Sequence, residues 1–126
     1  MAEVLLTAST KTYPNLPYQK MKDDILGRGY RLSLVFVGAT RARALNESYR
    51  GKTYVPNVLS FPLDATTGEI YICPQVAKRE AKKFSLSVTG YIGYLFIHGL
   101  YHLKGHDHGE TMDALEVKAV KKYGLS

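Results

Sequence analysis

The feature that most constrains the fold is the segment from Val88 to Lys104, which is apolar on nearly every side of a helical projection. A helix of this kind is buried, either in a protein core or in a membrane. The longest strictly apolar run near this span is Tyr94–Ile97, far short of the roughly 20 residues that a transmembrane helix needs. The segment therefore predicts a central buried helix, which Gly105 would end in a left-handed cap.

Shorter periodic segments surround that helix. Thr40 is the expected N-cap of the second helix, and Phe84 is the last apolar residue of the third. The order β-α-β-α-β-β-α-α-α predicts an α+β fold, in which about five helices pack a small four-stranded sheet. The expected strands are residues 4–6, 32–36, 58–61 and 69–73, joined in the last pair by a turn over 64–68, and the expected helices are 18–26, 40–49, 74–84, 88–104 and 111–123.

Length and composition are those of an ordinary globular domain. The 126 residues contain no repeat or linker, with 45% hydrophobic and 22% charged residues, so we expect one domain over residues 1–126. Cys73 is the single cysteine. It excludes an internal disulfide and a multi-cysteine zinc site, and it fits a reducing compartment. Residues 1–3 lack the basic start of a signal peptide, so we expect a cytoplasmic protein without membrane contact.

The chain is basic, with a formal net charge of +6. This favours an anionic partner such as RNA, although a solvated basic surface explains the charge equally well. The third predicted helix carries its cations on the face opposite its apolar residues. That face is the best candidate for RNA contact, with plain solvent exposure as the alternative. Its members are Lys78, Arg79, Lys82 and Lys83.

All four histidines lie within eleven residues, at positions 98, 102, 106 and 108. On a helix, His98 and His102 share one face with Cβ atoms about 5 to 6 Å apart, which one metal ion can bridge. If Gly105 ends the helix, the chain can turn back and bring His108 to the ion as a third ligand. The rival third ligand is His106, which would continue the stripe if the helix ran through Gly105. We favour His108 because glycine is unfavourable inside a helix and common at its end.

The spacing H-x-x-x-H-x-x-G-x-x-H is that of metzincin metalloproteases, but Gly99 stands where their general-base glutamate would be. The pattern thus predicts a metal site without peptidase chemistry. A site of three histidines leaves one position open for water and keeps the full charge of the ion, which lowers the pKa of that water to about 7. We expect one Zn²⁺ per chain in a catalytic site. Cu, Ni, Co or Fe are alternatives, and a purely structural zinc is a further one.

These residues resemble the YbeY family, bacterial metal-dependent endoribonucleases of ribosomal RNA maturation. The family signature H-G-x-x-H-L-x-G-Y-D-H is matched by residues 98–108, with His106 in place of tyrosine. The segment L-N-x-x-Y-R-G-K is matched by residues 45–52, and T-D-V-L-S-F-P by residues 56–62, with Pro56-Asn57 in place of Thr-Asp. G-D-I-x-I is matched by residues 68–72, with Glu69 in place of aspartate. The ordered matches cover about half of the chain.

The resemblance implies a mixed four-stranded sheet, zinc held by His98, His102 and His108, and a cleft that contains Arg50. Guanidinium offers a planar fork of donors and a permanent charge, which suits a phosphate clamp. By position alone, we favour an exposed arginine at a helix end, and the resemblance reverses that preference. Ser60 and Asn57 are candidates to line the cleft. Asp107 either holds a ligand imidazole or forms a turn.

The resemblance, together with the histidine spacing, implies a zinc-dependent, single-strand-specific endoribonuclease that acts in ribosomal RNA maturation and ribosome quality control. In this reading, metal-activated water attacks a phosphodiester while Arg50 stabilises the charge that develops on phosphate oxygens. The expected partners are ribosomal RNA and ribosomal particles. Two alternatives stay open: a noncatalytic RNA- or ribosome-binding assembly factor with a structural metal, and a metallohydrolase of another small substrate.

Overall fold

The computed structural model describes residues 3–8, 13–107 and 109–126. These residues form four strands, five α-helices and one 3₁₀ turn, which confirms the expected α+β class. In chain order the elements are β1 (Val4–Ala8), α1 (Tyr18–Leu26), β2 (Arg31–Phe36), α2 (Ala39–Arg50), β3 (Val58–Asp64), β4 (Thr67–Ile72), α3 (Pro74–Glu80), the 3₁₀ turn Ala81–Phe84, α4 (Val88–Leu103) and α5 (Glu110–Lys122).

The sheet is mixed, in the order β1-β2-β4-β3. The pairs β1–β2 and β2–β4 are parallel, and β3 pairs antiparallel with β4 at one edge. The connection between β3 and β4 is tighter than the turn expected over 64–68, because Thr67 and Gly68 already pair with Asp64 and Pro62. The Asp64 carboxylate accepts the Thr66 backbone N–H at 2.8 Å and so closes the turn.

Helix α4 lies in the core, as its sequence predicts. It packs against β3 and β4 and against α1 and α5, and ten of its residues are buried. Alternate residues of each strand point to opposite faces of the sheet. Leu34 and Ile70 face the core that contains α4, whereas Val35 and Tyr71 face a smaller cluster that includes the buried Cys73. No described helix has the length and apolar character needed to cross a membrane.

Glycines allow α4 to approach its neighbours closely. A Cβ atom at Gly99 would lie 2.9 Å from Ser60 Oγ and 3.0 Å from Ile70 Cδ1, and one at Gly93 would lie 2.8 Å from the Leu125 methyl groups. At Gly90 it would overlap the carbonyl group of Ser126. These three glycines therefore let α4 pack closely, and at Gly99 the close approach fixes α4 against β3.

Two local expectations are wrong. The N-cap of α2 is Gly38, not Thr40, because the Val37 N–H still bonds to the Ile72 carbonyl at 2.9 Å and the chain turns directly after it. The helix that begins at Pro74 tightens to 3₁₀ at Ala81. The tighter winding turns Phe84 outward, so that 56% of its surface is exposed, although helical spacing had placed it on the inner face.

Candidate active site

Helix α4 brings His98 and His102 together. Their Nε2 atoms lie 3.0 Å apart, and their rings meet edge to face with centroids separated by 4.5 Å. The positions four residues apart account for the shared face, and the burial of α4 on its other sides leaves this face toward a cavity. The pair predicted from the sequence is therefore formed.

The second nitrogen of each ring is held by an acceptor. His98 Nδ1 lies 3.0 Å from Glu116 Oε2 on α5, and His102 Nδ1 lies 3.1 Å from the His106 carbonyl oxygen. A carboxylate and a carbonyl accept hydrogen bonds only, so each Nδ1 carries the proton that it donates. In the neutral imidazoles, both Nε2 atoms then present lone pairs to one point.

This geometry fits a metal ion. Two nitrogens that each lie 2.0–2.1 Å from a tetrahedral zinc ion are about 3.3 Å apart, close to the 3.0 Å between the Nε2 atoms. A histidine ligand commonly donates its other N–H to a carboxylate or a backbone carbonyl, which fixes the tautomer and the ring orientation. Both histidines have such a partner. The donor set is therefore suited to a divalent transition metal.

The helix end agrees with the preference for His108 as a third ligand. Gly105 has φ +104°, its N–H bonds to the His102 carbonyl at 3.0 Å, and the His106 N–H bonds to the Tyr101 carbonyl at 3.0 Å. These two bonds form a Schellman cap, so the alternative in which α4 continues through Gly105 to His106 is wrong. The His106 ring instead packs edge to face on Tyr101, with centroids 5.7 Å apart.

His108 itself lies outside the described residues, so its assignment as a ligand stays a prediction. Within the described ranges, no group of three or more His, Cys, Asp or Glu side chains is arranged to hold a metal ion. Asp107 is exposed, and it is the His106 carbonyl and Glu116 that contact the two rings.

Arg50 lines the same cavity as the two histidines. The cavity has a volume of about 530 Å³. Arg50 Nη1 lies 3.3 Å from Asn46 Oδ1 and 3.3 Å from the Tyr54 hydroxyl. Asn46 is completely buried and also donates to the Tyr54 carbonyl at 3.0 Å. Asn46 thus ties the end of α2 to the following loop and holds the guanidinium at the cavity. The further lining residues are Tyr54, Asn57, Val58, Leu59, Ser60, Phe84, Tyr91, Tyr94 and Leu95.

Asn57 and Ser60 line the cavity as expected, but both side chains have structural contacts. Ser60 Oγ donates to the Gly99 carbonyl at 3.2 Å, which fixes β3 to α4. Asn57 Nδ2 donates to Glu80 Oε1 at 3.0 Å, and the Tyr91 hydroxyl donates to the same oxygen at 2.9 Å. The amide at position 57 is therefore a donor to a carboxylate, which an ionised aspartate could not be.

Glu116 is a residue of the candidate site that the sequence did not predict. It is 2% exposed and occupies the inner face of α5 between Met112 and Ala119. Burial and the Glu116 carboxylate, which accepts a hydrogen bond from the hydroxyl, raise the pKa of Tyr94 to about 12. A carboxylate within an otherwise apolar helical stripe was the available signal, because such a group is buried only where it has partners.

The four cations of the third helix lie on the surface. Lys78 and Arg79 on α3, and Lys82 and Lys83 in the 3₁₀ turn, are all exposed, which confirms the outward face. Their contact with RNA stays a prediction.

The fold and the site define an α+β protein in which a buried helix presents two imidazoles to one point beside an arginine, an arrangement suited to metal-dependent hydrolysis of a phosphate ester. The family profile described as Endoribonuclease YbeY matches residues 7–125. The chain belongs to the YbeY endoribonuclease family, which confirms the resemblance and the expected enzyme class, a hydrolase of the nuclease type.

Curated relatives agree with this assignment. The chain is 37% identical over 119 residues to Endoribonuclease YbeY of Finegoldia magna. This alignment covers 85% of the present chain and 75% of the Finegoldia protein. It is 40% identical over 96 residues to the Bdellovibrio bacteriovorus protein of the same name. This alignment covers 75% of the present chain and 61% of the Bdellovibrio protein. A solution structure of a Thermotoga maritima protein is similar in fold, with a TM-score of 0.70, 24% identity, and coverage of 95% of this chain and 88% of that one.

Proposed function

We propose that residues 1–126 form one hydrolase domain that cleaves single-stranded RNA, with zinc held by His98, His102 and His108, in ribosomal RNA maturation and ribosome quality control. The observation that carries this proposal is the pair of Nε2 atoms 3.0 Å apart. Both rings are fixed by acceptors at Nδ1, and both face a cavity that also contains Arg50. The family name of the relatives supports RNA as the substrate.

In the proposed reaction, different residues bind the metal ion, orient its ligands and bind the phosphate. When bound, the ion would supply a Lewis acid and lower the pKa of a coordinated water. His98 and His102 hold it, and Glu116 and the His106 carbonyl keep their imidazoles in the required tautomer. Arg50, steadied by Asn46 and Tyr54, binds phosphate oxygens through its fork of N–H donors. The excess of six positive charges attracts a polyanion to the molecule as a whole.

Cleavage of a labelled single-stranded RNA and of the matching duplex by the untagged chain tests the proposal. We expect cleavage of the single strand that is abolished by a chelator and by His102→Ala, since two remaining ligands hold a tetrahedral ion poorly. His106→Ala is the matched control. Its side chain packs on Tyr101 while its backbone carbonyl contacts His102, so this variant should keep its metal and its activity.

Three results would contradict the proposal. Equal cleavage by wild type and His102→Ala would assign the activity to a contaminating nuclease. Full metal occupancy of His108→Ala in native mass spectrometry would remove His108 from the ligand set. RNA binding without any chelator-sensitive cleavage would favour the noncatalytic assembly factor, for which the exposed cations of α3 are the supporting observation.

A further inference from the structure

Phe84 is an exposed aromatic ring at the rim of the cavity. It ends the 3₁₀ turn, and 56% of its surface is accessible. Ser85 follows with φ +55°, and this reversal of the chain holds Phe84 outward. One face of the ring is stacked on Tyr91, with centroids 5.2 Å apart and planes inclined by 15°. Phe84 therefore combines a supported face with a large apolar surface open to solvent.

The ring below Phe84 is buried and held by a hydrogen bond. Tyr91 is 2% exposed, and its hydroxyl donates to Glu80 Oε1 at 2.9 Å. Burial, followed by the bond to Glu80, raises the pKa of the Tyr91 hydroxyl above its usual range, so the hydroxyl remains a donor at neutral pH. Phe84 thus rests on a buried ring in a fixed position, which lowers the entropy that a ligand would have to remove on stacking.

A row of rings connects Phe84 with the histidine pair. Tyr91 and Tyr94 are 5.9 Å apart with planes inclined by 24°, and Tyr94 and His98 are 6.2 Å apart. All four rings line the cavity that also contains Arg50. An extended ligand bound at His98 can therefore reach Phe84 along one continuous wall.

The charges around Phe84 identify the chemistry of that ligand. Lys82 and Lys83 precede it directly, and both are exposed. Aromatic rings interleaved with cations are typical of proteins that bind single-stranded nucleic acid, because the cations follow the phosphates while each base offers a π-face for stacking. A peptide ligand would explain the ring, whereas a polyanion with planar groups explains both the ring and the cations.

We propose that Phe84, supported by Tyr91, is a stacking subsite for an unpaired nucleobase of an RNA strand whose phosphodiester lies at His98 and His102. The inference rests on the proposed RNA substrate and adds to it the place where a base is recognised. In a duplex, each base is already stacked between its neighbours and paired, so it cannot lie flat on the Phe84 ring. The subsite therefore favours single strands.

The first test compares the affinity of metal-loaded wild type and Phe84→Ala, measured by rapid mixing before cleavage, for two fluorescently labelled probes, a short oligouridylate and an abasic strand with the same number of phosphates. Stacking of one base on an aromatic side chain contributes a factor of roughly 5 to 150 in affinity. We expect a loss of this size for oligouridylate and none for the abasic strand. Leu5→Ala is the control, since Leu5 is 65% exposed on β1, at the sheet edge opposite β3.

The second test uses the absence of tryptophan from the chain. Phe84→Trp creates a single indole at the subsite, and Leu5→Trp creates one at the control position. In stopped-flow mixing, we expect oligouridylate to quench the Phe84→Trp fluorescence in the binding phase, before cleavage. The abasic strand should quench neither variant, and oligouridylate should not quench Leu5→Trp.

The two proposals fail in different ways. Quenching and a base-dependent affinity without any later cleavage would support the stacking subsite and contradict the RNA hydrolase. Cleavage of oligouridylate with unchanged affinity in Phe84→Ala would overturn the subsite and leave the hydrolase intact. Equal loss of affinity for both probes would also overturn it, because the ring would then act on the backbone or on the fold. Failure to bind either probe at low salt would overturn both.

Discussion

At the scale of one residue, Arg50 makes the end of α2 part of the cavity that holds the histidine pair. It is exposed at the last position of α2, where an arginine also interacts favourably with the helix dipole. Its contacts with Asn46 Oδ1 and the Tyr54 hydroxyl, both at 3.3 Å, direct the guanidinium to the cavity instead of to bulk solvent. Position alone favours the helix-end role, whereas the contacts favour the role in the cavity.

We expect Arg50→Ala to lower the single-turnover cleavage rate by roughly 10² to 10³ at saturating protein, because a charged donor that stabilises the transition state is lost. Metal content and thermal stability should remain near wild type. Arg50→Lys should restore part of the rate, since a point charge lacks the bidentate fork. The matched control is Arg43→Ala, on the same helix and paired with Glu47 at 3.4 Å. A wild-type cleavage rate in Arg50→Ala would show that Arg50 does not bind the phosphate and is only an exposed arginine at a helix end.

Glu116 acts on the site through His98. Its carboxylate accepts from His98 Nδ1 at 3.0 Å and from the Tyr94 hydroxyl in a buried position. We expect Glu116→Ala to weaken zinc affinity by about 10- to 100-fold, measured by competition with a chromophoric chelator. Glu116→Gln should lose less, because its amide oxygen can still accept from Nδ1.

The control for Glu116 is Glu110→Ala, which removes an exposed carboxylate from the first turn of the same helix. Unchanged zinc affinity in a folded Glu116→Ala protein would show that His98 is oriented by other contacts. Circular dichroism separates this outcome from unfolding, since two partly buried donors lose their acceptor and the free energy of unfolding should fall by about 1–3 kcal/mol.

At the scale of elements, local chemistry made most of the fold predictable. Helix α4 is apolar all round and ends before a glycine with positive φ, and both properties are visible in the sequence. The sheet order and the crossing of α4 with α5 depend on contacts distant in the chain, so the partnership of His98 with Glu116 had no local signal. The outward turn of Phe84 depends on a change from α to 3₁₀ winding at Ala81, which apolar spacing does not reveal.

Gly99 shows how tightly two elements meet at the site. A Cβ there would lie 2.9 Å from Ser60 Oγ and 3.0 Å from Ile70 Cδ1, so a glutamate at this position has no room. Overpacking of a core typically costs about 1–3 kcal/mol, of which the better helix propensity of alanine offsets about 1 kcal/mol. We expect Gly99→Ala to lower the free energy of unfolding by up to about 2 kcal/mol in urea denaturation.

Gly29→Ala is the control for that experiment, because nothing lies within 4 Å of a Cβ at position 29 and its φ lies outside the range from +20° to +160° that strains other residues. This variant should be neutral or slightly more stable, since alanine reduces the entropy of the unfolded chain. If the Gly99→Ala protein has the same free energy of unfolding as the Gly29→Ala protein, β3 can move away from α4.

At the scale of the whole molecule, the positive charge determines how strongly the protein attracts a nucleic acid strand. The formal net charge is +6, and four exposed cations lie on α3 and the 3₁₀ turn, which ends at Phe84 on the wall of the cavity. Phosphates that meet such cations release condensed counterions, so affinity falls as salt rises, with a slope of about −0.7 per contact for single strands. A salt titration therefore counts the phosphate contacts of the whole protein, and the contribution of this face is the difference between wild type and a variant without its cations.

We expect replacement of the four cations by glutamine to weaken binding of single-stranded RNA and to reduce the salt slope by up to about 3 units. The replaced residues are Lys78, Arg79, Lys82 and Lys83. A control variant that loses the same charge from other exposed positions should keep a slope close to wild type, since it lowers net charge without removing contacts. Its replaced residues are Arg28, Arg31, Lys118 and Lys121. Equal slopes in the two variants would show that net charge alone attracts the strand and that the α3 face remains in solvent.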